Sequence, residues 1–224
     1  MEAQDGLELL PLCIAGEFKR LREDLSLTNA RWILYRQLYV HSEKRFNLLT
    51  ASAPAFFEFL FYILRDDVFM ALCRLADPGS TGGKENLSFR WIMTRLDDQD
   101  DTEQLRGKLQ NTLDLFIAQC EPLEAHRDKR LAHRDLTTSL VSAAEPLPGV
   151  TVQMVDDALA TAAEYLNTIE GHYSNSGTAC EYFGMVGDVD SLVISVAEAM
   201  RYRDLERSGA IGFDDFDKSE WRNV

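Results

Sequence analysis

The sequence predicts an all-α protein, and three observations lead to that fold class. Apolar residues recur at intervals of three, four and seven through most of the 224-residue chain, which is the period of amphipathic helices. No long stretch alternates apolar with polar residues as a half-buried strand does. Hydrophobic residues make up 46% of the chain, which is enough for one helical domain with its own core.

The first half of the chain predicts two long helices. The first is amphipathic, with inward positions at Trp32, Tyr35, Tyr39, Phe46 and Leu49. Ser52 and Pro54 suit the start of the second, since proline costs least in a first turn, and we expect this helix to reach about Leu75. Its opening run, residues 53–64, is strongly apolar but falls short of the roughly 20 residues that span a bilayer. We interpret the run as a buried core helix, which the turn-forming residues 77–83 bring to an end.

The middle of the chain predicts two more helices. A short one begins near Asn86, with inward positions at Phe89, Ile92, Met93 and Leu96. A longer one carries an apolar stripe at Leu105, Leu109, Leu113, Phe116 and Ile117. Pro122 lacks the N–H group that a helix interior needs, so we expect a break or kink there. A further helical stretch should then run from Leu123 to about Leu136.

The last third of the chain predicts two helices and a tail. Proline and glycine at residues 145–149 mark a connector, and Thr151 suits the N-cap of the helix that follows. Its apolar positions are Val155, Leu159, Ala162, Leu166 and Ile169. The last amphipathic helix has apolar positions at Val189, Leu192, Val193, Val196 and Met200. We expect one domain over residues 1–207 and an acidic, loose tail over residues 208–224.

The composition restricts location and partners. The formal net charge is −14, whereas a protein that coats nucleic acid is basic, so binding over the whole surface is excluded and a small basic cleft stays open. The first residues are acidic and lack an export signature. The four cysteines are far apart in the sequence and form no CxxC pair: Cys13, Cys73, Cys120 and Cys180. We expect a cytoplasmic protein with buried reduced thiols, no membrane span, no metal site and no cofactor.

One segment of this acidic chain is basic. Residues 123–135 read LEAHRDKRLAHRD and hold four Lys and Arg residues with two of the four histidines. The cations are Arg127, Lys129, Arg130 and Arg134. On spacing alone, a solvated helix face with alternating charges explains the segment equally well.

Two residues of this segment, Arg127 and His133, are candidates for chemistry. Leu123, Arg127 and Leu131 are spaced by four, so Arg127 shares a helical stripe with two leucines. A charge on such a stripe is paired, lies at an interface or is functional. The structural alternative is an ion pair with one of three upstream carboxylates, Asp66, Asp67 or Asp77. His133 follows six positions later, about 120° around an ideal helix, so a site using both draws on two faces or on two copies of the chain.

The segment RDKRLAH resembles the signature of HEPN domains (higher eukaryotes and prokaryotes nucleotide-binding): an arginine, a polar residue and a histidine a few positions later. It is most similar to the AbiU-type branch of abortive-infection proteins, which read much like RDKRLAHRD at this point. The resemblance extends upstream through residues 86–89 and 66–77 to the first helix rich in Trp and Tyr. It covers residues 32–136, and the C-terminal helices match only in general character.

This resemblance implies an antiparallel helical bundle, with additional C-terminal helices, that dimerises around the motif helix and cleaves RNA without metal. Arg127 and His133 would be catalytic, and Asp128 would orient Arg127 or the copy of Arg127 in the partner chain. Three further cations would guide the RNA backbone, namely Lys129, Arg130 and Arg134. Arg74 and Asp77 would form a structural pair that braces the motif helix.

Two functional hypotheses follow. The first is a metal-independent endoribonuclease of an abortive-infection or toxin-type defence system, acting as a homodimer and controlled by an antitoxin or another neutralising protein. The alternative is a non-catalytic HEPN module that serves as a binding or regulatory partner, which the acidic surface favours. Some HEPN toxins are silenced by modification of a tyrosine two residues after the motif histidine; that position is Asp135 here, so the resemblance does not extend to this control. His126 is interpreted as a solvated histidine.

Overall fold

A computed structural model describes residues 9–96, 103–131, 148–174 and 188–211. Within these ranges the α-helices are α1 Ala15–Tyr35, α2 Glu43–Ser52, α3 Pro54–Ala76, α4 Phe89–Arg95, α5 Glu103–His126, α6 Val152–Ser174 and α7 Asp188–Arg207. Two π-helical turns in the same ranges follow α1 and α5, at Arg36–Val40 and Arg127–Leu131. The only strands in the described part are two residues each, β1 Ser80–Thr81 and β2 Lys84–Glu85. The all-α prediction is confirmed.

The described residues form two compact units, and the first comprises residues 9–33 with those between 63 and 174. Its centre is the packing of α5 on α6, where the ring of Phe89 stacks on Tyr165 at 4.4 Å and contacts Phe116 at 5.2 Å. The Tyr165 hydroxyl donates to the Phe89 carbonyl over 2.9 Å. A buried hydroxyl needs such a partner, and this one fixes the start of α4 against α6.

The predicted apolar stripes of this unit are confirmed. Four of the five predicted positions of α5 are buried, namely Leu105, Leu109, Leu113 and Phe116, and Ile117 is partly buried. All five predicted positions of α6 are buried. The Thr151 hydroxyl accepts the Met154 amide hydrogen over 3.2 Å, as an N-cap does. Ser88 caps α4 in the same way, so that helix begins at Phe89.

The second unit comprises residues 34–62 and 188–211. Helix α2 packs on α7, and Arg45 donates to Asp190 and to the Gln37 carbonyl, each over 2.7 Å. The Tyr39 hydroxyl donates to the Phe57 carbonyl over 2.9 Å. Of the apolar positions predicted on α7, Val189 is buried and Leu192 is exposed, so the helix is present but its apolar face is only partly covered.

The single helix predicted across residues 32–49 is wrong, because the chain breaks it at His41 and Ser42. Helix α1 ends at Tyr35, a π-helical turn follows, and α2 begins at Glu43. Ser42 has extended backbone angles and its hydroxyl accepts the Arg45 amide hydrogen over 3.2 Å. A serine in this role satisfies a helix-terminal donor, and this local capping outweighs the longer apolar period.

Of the break or kink predicted at Pro122, the break is wrong, because α5 continues through this residue to His126. A proline inside a helix removes one hydrogen bond and costs about 3 kcal/mol. Cys120 and Leu123, on either side, are both fully buried, and tertiary packing of this kind is what mainly stabilises helices in proteins. Most of the stretch predicted to reach Leu136 lies outside the described residues.

Helix α3 begins at Pro54, as predicted, and ends one residue beyond the predicted Leu75. The turn after it is the β1–β2 hairpin, whose loop residues Gly82 and Gly83 both have positive φ, the conformation of a type I′ turn. The interpretation of residues 53–64 as a buried core helix is wrong. Phe57 is buried, but Phe56 and Phe59 are 61% and 69% exposed.

Cys73 and Cys120 are buried free thiols, as predicted, whereas Cys13 is exposed. Cys180 and residues 212–224 of the predicted tail lie outside the described residues, and the division into one domain and a tail stays a prediction. None of the described helices combines the length and the apolarity that crossing a bilayer requires.

Candidate functional site

The motif arginine stands where α5 changes into a π-helical turn. Helix α5 ends at His126, and the next five residues, Arg127–Leu131, form the turn. Leu123, four residues before Arg127, is buried, so the same face of α5 carries the guanidinium towards the interior. The Arg127 side chain is 20% exposed. Single π-helical turns within helices often occur at functional sites.

Two carboxylates hold the Arg127 guanidinium. Its Nη1 donates to Asp77 Oδ1 over 2.7 Å, and its Nε donates to Asp128 Oδ1 over 2.8 Å. Of the three carboxylates considered from the sequence, Asp77 is therefore the partner. Asp66 pairs with Arg65, and Asp67 with Arg31. Within the described residues Nη2 has no hydrogen-bond acceptor, so part of the fork stays available to a ligand.

The surroundings keep this arginine charged and its neighbouring thiol neutral. Burial by itself lowers the pKa of Arg127, but the hydrogen bond to Asp128 and the charge of Asp77 outweigh burial and raise that pKa. Burial raises the pKa of the nearby Cys73 to about 12, although the positive charge of Arg127 acts in the opposite direction. The Cys73 thiol therefore adds no negative charge beside the guanidinium near neutral pH.

The predicted pair of Arg74 with Asp77 does not form, because Asp77 is the partner of Arg127. Helix α3 ends at Ala76, so Asp77 lies beyond the helical geometry that brings side chains three residues apart together. Arg74 is exposed and makes no ion pair with any residue in the described ranges. Asp77 therefore contacts the motif arginine itself, instead of pairing with Arg74 as predicted.

The structure describes some of the remaining predicted site residues and not others. Asp128 and Lys129 are exposed on the π-helical turn, and the backbone of Arg130 lies in the same turn. His133 and Arg134 lie outside the described residues. The 120° separation calculated for Arg127 and His133 on an ideal helix therefore stays a prediction.

His126 is partly buried, which differs from the solvated histidine expected. Its Nε2 donates to the Pro148 carbonyl over 2.9 Å, and its ring meets Phe69 edge-on at 5.7 Å. The imidazole thereby ties the end of α5 to the segment that leads into α6. Neither contact of His126 was predicted from the sequence. The available indication was the connector that contains Pro148, because this connector leads into α6.

Among the described residues, no three or more His, Cys, Asp or Glu side chains are placed together to hold a metal ion.

The profile of the AbiU2 family of HEPN domains matches residues 12–192. No curated protein and no solved structure matches the chain. The matched range covers well over half of the chain and includes α1 to α6 and the whole motif. The chain therefore belongs to the AbiU2 family of HEPN domains, a family related to abortive infection.

Proposed function

We propose that this protein is a metal-independent endoribonuclease of an abortive-infection or toxin-type defence system. The observation that supports this most is the state of Arg127, which is partly buried and held by two carboxylates, while its Nη2 has no acceptor among the described residues. A guanidinium matches phosphate oxygens with its fork of N–H groups. An arginine fixed in this way has already lost much of the side-chain entropy that phosphate binding would otherwise cost.

The reaction is an internal transesterification of RNA. A base removes the proton from a 2′-hydroxyl, the 2′-oxygen bonds to phosphorus, and the bond from phosphorus to the 5′-oxygen breaks as that oxygen takes up a proton. His133 performs the proton transfers, because imidazole titrates near neutral pH. Arg127 stabilises the charge on the phosphorane, oriented by Asp128. Lys129, Arg130 and Arg134 guide the RNA backbone.

The active form in this proposal is a homodimer. A symmetric pair brings two motif segments together and supplies two copies each of Arg127 and His133. The acidity of the chain, −14 overall, suits RNA that is structured or presented by a protein better than long RNA met without selection. A neutralising protein partner would control the activity.

The test is cleavage of RNA, and growth arrest on expression, by wild type and variants. We expect Arg127→Ala and His133→Ala to abolish both. Arg127→Lys should recover little, since a lysine loses the planar fork. Lys44→Ala removes an exposed cation on α2 and should behave as wild type. Activity that survives both alanine substitutions, that a chelator abolishes, or that a purified monomer retains would contradict the proposal.

A second candidate function is a non-catalytic HEPN module. The specific observation in its favour is that Arg127 already has two carboxylate partners, as a structural arginine would. In that case wild type cleaves no RNA, and Arg127→Ala lowers the melting temperature without any other effect. Comparing cleavage with thermal unfolding of this one variant separates the two functions.

A further inference from the structure

A cleft of about 600 Å³ opens in the first unit between α1, α3 and the hairpin that follows α3. Its walls include Arg20 and Arg31 from α1, Arg74 from α3, and Asn86 after β2. Ligand sites for small molecules commonly measure about 300–1,000 Å³. The cleft is therefore large enough for part of a nucleotide chain.

The three guanidinium groups of the cleft differ in their pairing. Arg20 lies 3.1 Å from Asp24, and Arg31 lies 3.0 Å from Asp67. Arg74 is exposed and has no carboxylate within ion-pair distance among the residues that the structure describes. Four carboxylates also line the cleft, and each lies within ion-pair distance of an arginine: Asp24, Asp67, Asp77 and Glu85. Among the cleft's guanidinium groups Arg74 is the one without such a pair in the described ranges, so it is the group that would attract a phosphate.

The wall opposite α1 is held rigidly by hydrogen bonds. The side-chain amide of Asn86 donates to the Pro78 carbonyl and to the Thr81 hydroxyl, each over 2.8 Å, and its backbone amide donates to the Gly79 carbonyl over 2.9 Å. A Cβ on Gly79 would come within 3.3 Å of the Trp91 backbone. Hydrogen bonds of this kind reduce the reorganisation that binding a ligand would require.

The cleft also reaches the motif. Asp77 lines the cleft, and its carboxylate is the one that binds Arg127 over 2.7 Å. A strand of RNA held at Arg127 therefore has its neighbouring nucleotide next to the cleft. Leu27 and Leu87 are exposed apolar side chains on the cleft walls, and they offer a surface for a ribose or a base.

We propose that this cleft binds the RNA nucleotide adjacent to the one cleaved, and that Arg74 binds its phosphate. The proposal rests on the proposed function for the identity of the strand, and it adds a binding site away from the motif. Arg74 thereby becomes a substrate-binding residue, whereas it was expected to form a structural pair.

The test measures binding of a short fluorescent 2′-O-methyl RNA, which lacks the 2′-hydroxyl nucleophile, at several salt concentrations. Arg74→Ala should weaken binding about fivefold to tenfold and reduce the slope of log K against log salt by about 0.7, the value for one phosphate contact in a single strand. Arg74→Glu should weaken binding further, and Arg74→Lys should restore part of it. Lys108→Ala removes an exposed cation on α5 and should leave affinity and slope unchanged.

Competition identifies the subsite. Adenosine 5′-monophosphate should displace the RNA from wild type more strongly than from Arg74→Ala. Equal displacement, or RNA affinity in Arg74→Ala within about twofold of wild type, overturns the proposal.

The outcomes also separate this proposal from the nuclease. If Arg127→Ala abolishes cleavage of unmodified RNA while Arg74→Ala binds and cuts normally, the cleft proposal fails and the proposed function stands. If wild type cuts no RNA but its affinity still depends on Arg74, the cleft stands as an RNA-binding site and the nuclease fails.

Discussion

At the scale of single residues, Asp77 decides how Arg127 is held. The Asp77 carboxylate binds Nη1, its side chain is 30% exposed, and it reaches across 50 positions of sequence. Asp128 is the immediate neighbour of the arginine and is 63% exposed. A partly buried ion pair couples more strongly than an exposed one, so the contact with Asp77 should contribute more to the stability of the fold than the contact with Asp128.

A double-mutant cycle measures this difference. Asp77→Ala should lower the free energy of unfolding by about 1–2 kcal/mol and should be non-additive with Arg127→Ala, because the two residues share one contact. Asp128→Ala is the matched control and should cost less than about 0.5 kcal/mol. Urea unfolding of the single and double variants provides the numbers. Additive effects of the Asp77 and Arg127 substitutions would show that the pair contributes no stability.

The sequence identified Arg127 but not which carboxylate it pairs with. The leucine spacing marked Arg127 as an unusual charge, and the motif placed it in the HEPN resemblance. The choice among Asp66, Asp67 and Asp77 depends on where α3 ends and how it meets α5. That packing brings residues 77 and 127 together, and no local spacing encodes it.

At the scale of helices, local capping and burial overrule longer patterns. The apolar period across residues 32–49 continues through Ser42, yet the serine caps a new helix. Pro122 argues for a break, yet buried neighbours keep α5 intact. The existence of most helices followed from periodicity. Helix boundaries were predicted less well from periodicity, because a boundary depends on one hydrogen bond, whereas a period averages over many residues.

The N-cap of α2 can be tested directly. Ser42→Ala removes the acceptor for the Arg45 amide and should reduce the free energy of unfolding by about 1 kcal/mol. Ser42→Asp should retain the stability of wild type, since aspartate caps equally well. Ser52→Ala lies at the other end of α2, where the hydroxyl bonds the Leu49 carbonyl and does not cap the start of the helix; it should cost less. Equal losses at Ser42 and Ser52 in urea unfolding would contradict the cap.

At the scale of the whole molecule, burial keeps tyrosine hydroxyls and cysteine thiols protonated, and both units contain such groups. Burial, with a smaller effect of Tyr35, raises the pKa of Tyr39 from 10.0 to about 12, and burial raises the pKa of Cys73 from 9.0 to about 12. The pKa values of Cys120 and Tyr165 are raised by burial as well. Near neutral pH these groups are uncharged in the folded and unfolded chain alike, so the shifts leave stability there unaffected.

Stability should therefore fall at alkaline pH. The unfolded chain loses these protons from about pH 8 upwards, before the folded chain does, so the free energy of unfolding should decline from about pH 8 towards pH 12. Each such group contributes up to about 1.4 kcal/mol per pH unit. Urea unfolding at pH 7, 9, 10 and 11 measures the decline, and Tyr39→Phe should flatten it above pH 10 while losing the hydrogen bond to Phe57 at every pH. A free energy that stays constant to pH 11 in wild type would mean that these side chains ionise as readily in the folded protein as in the unfolded one.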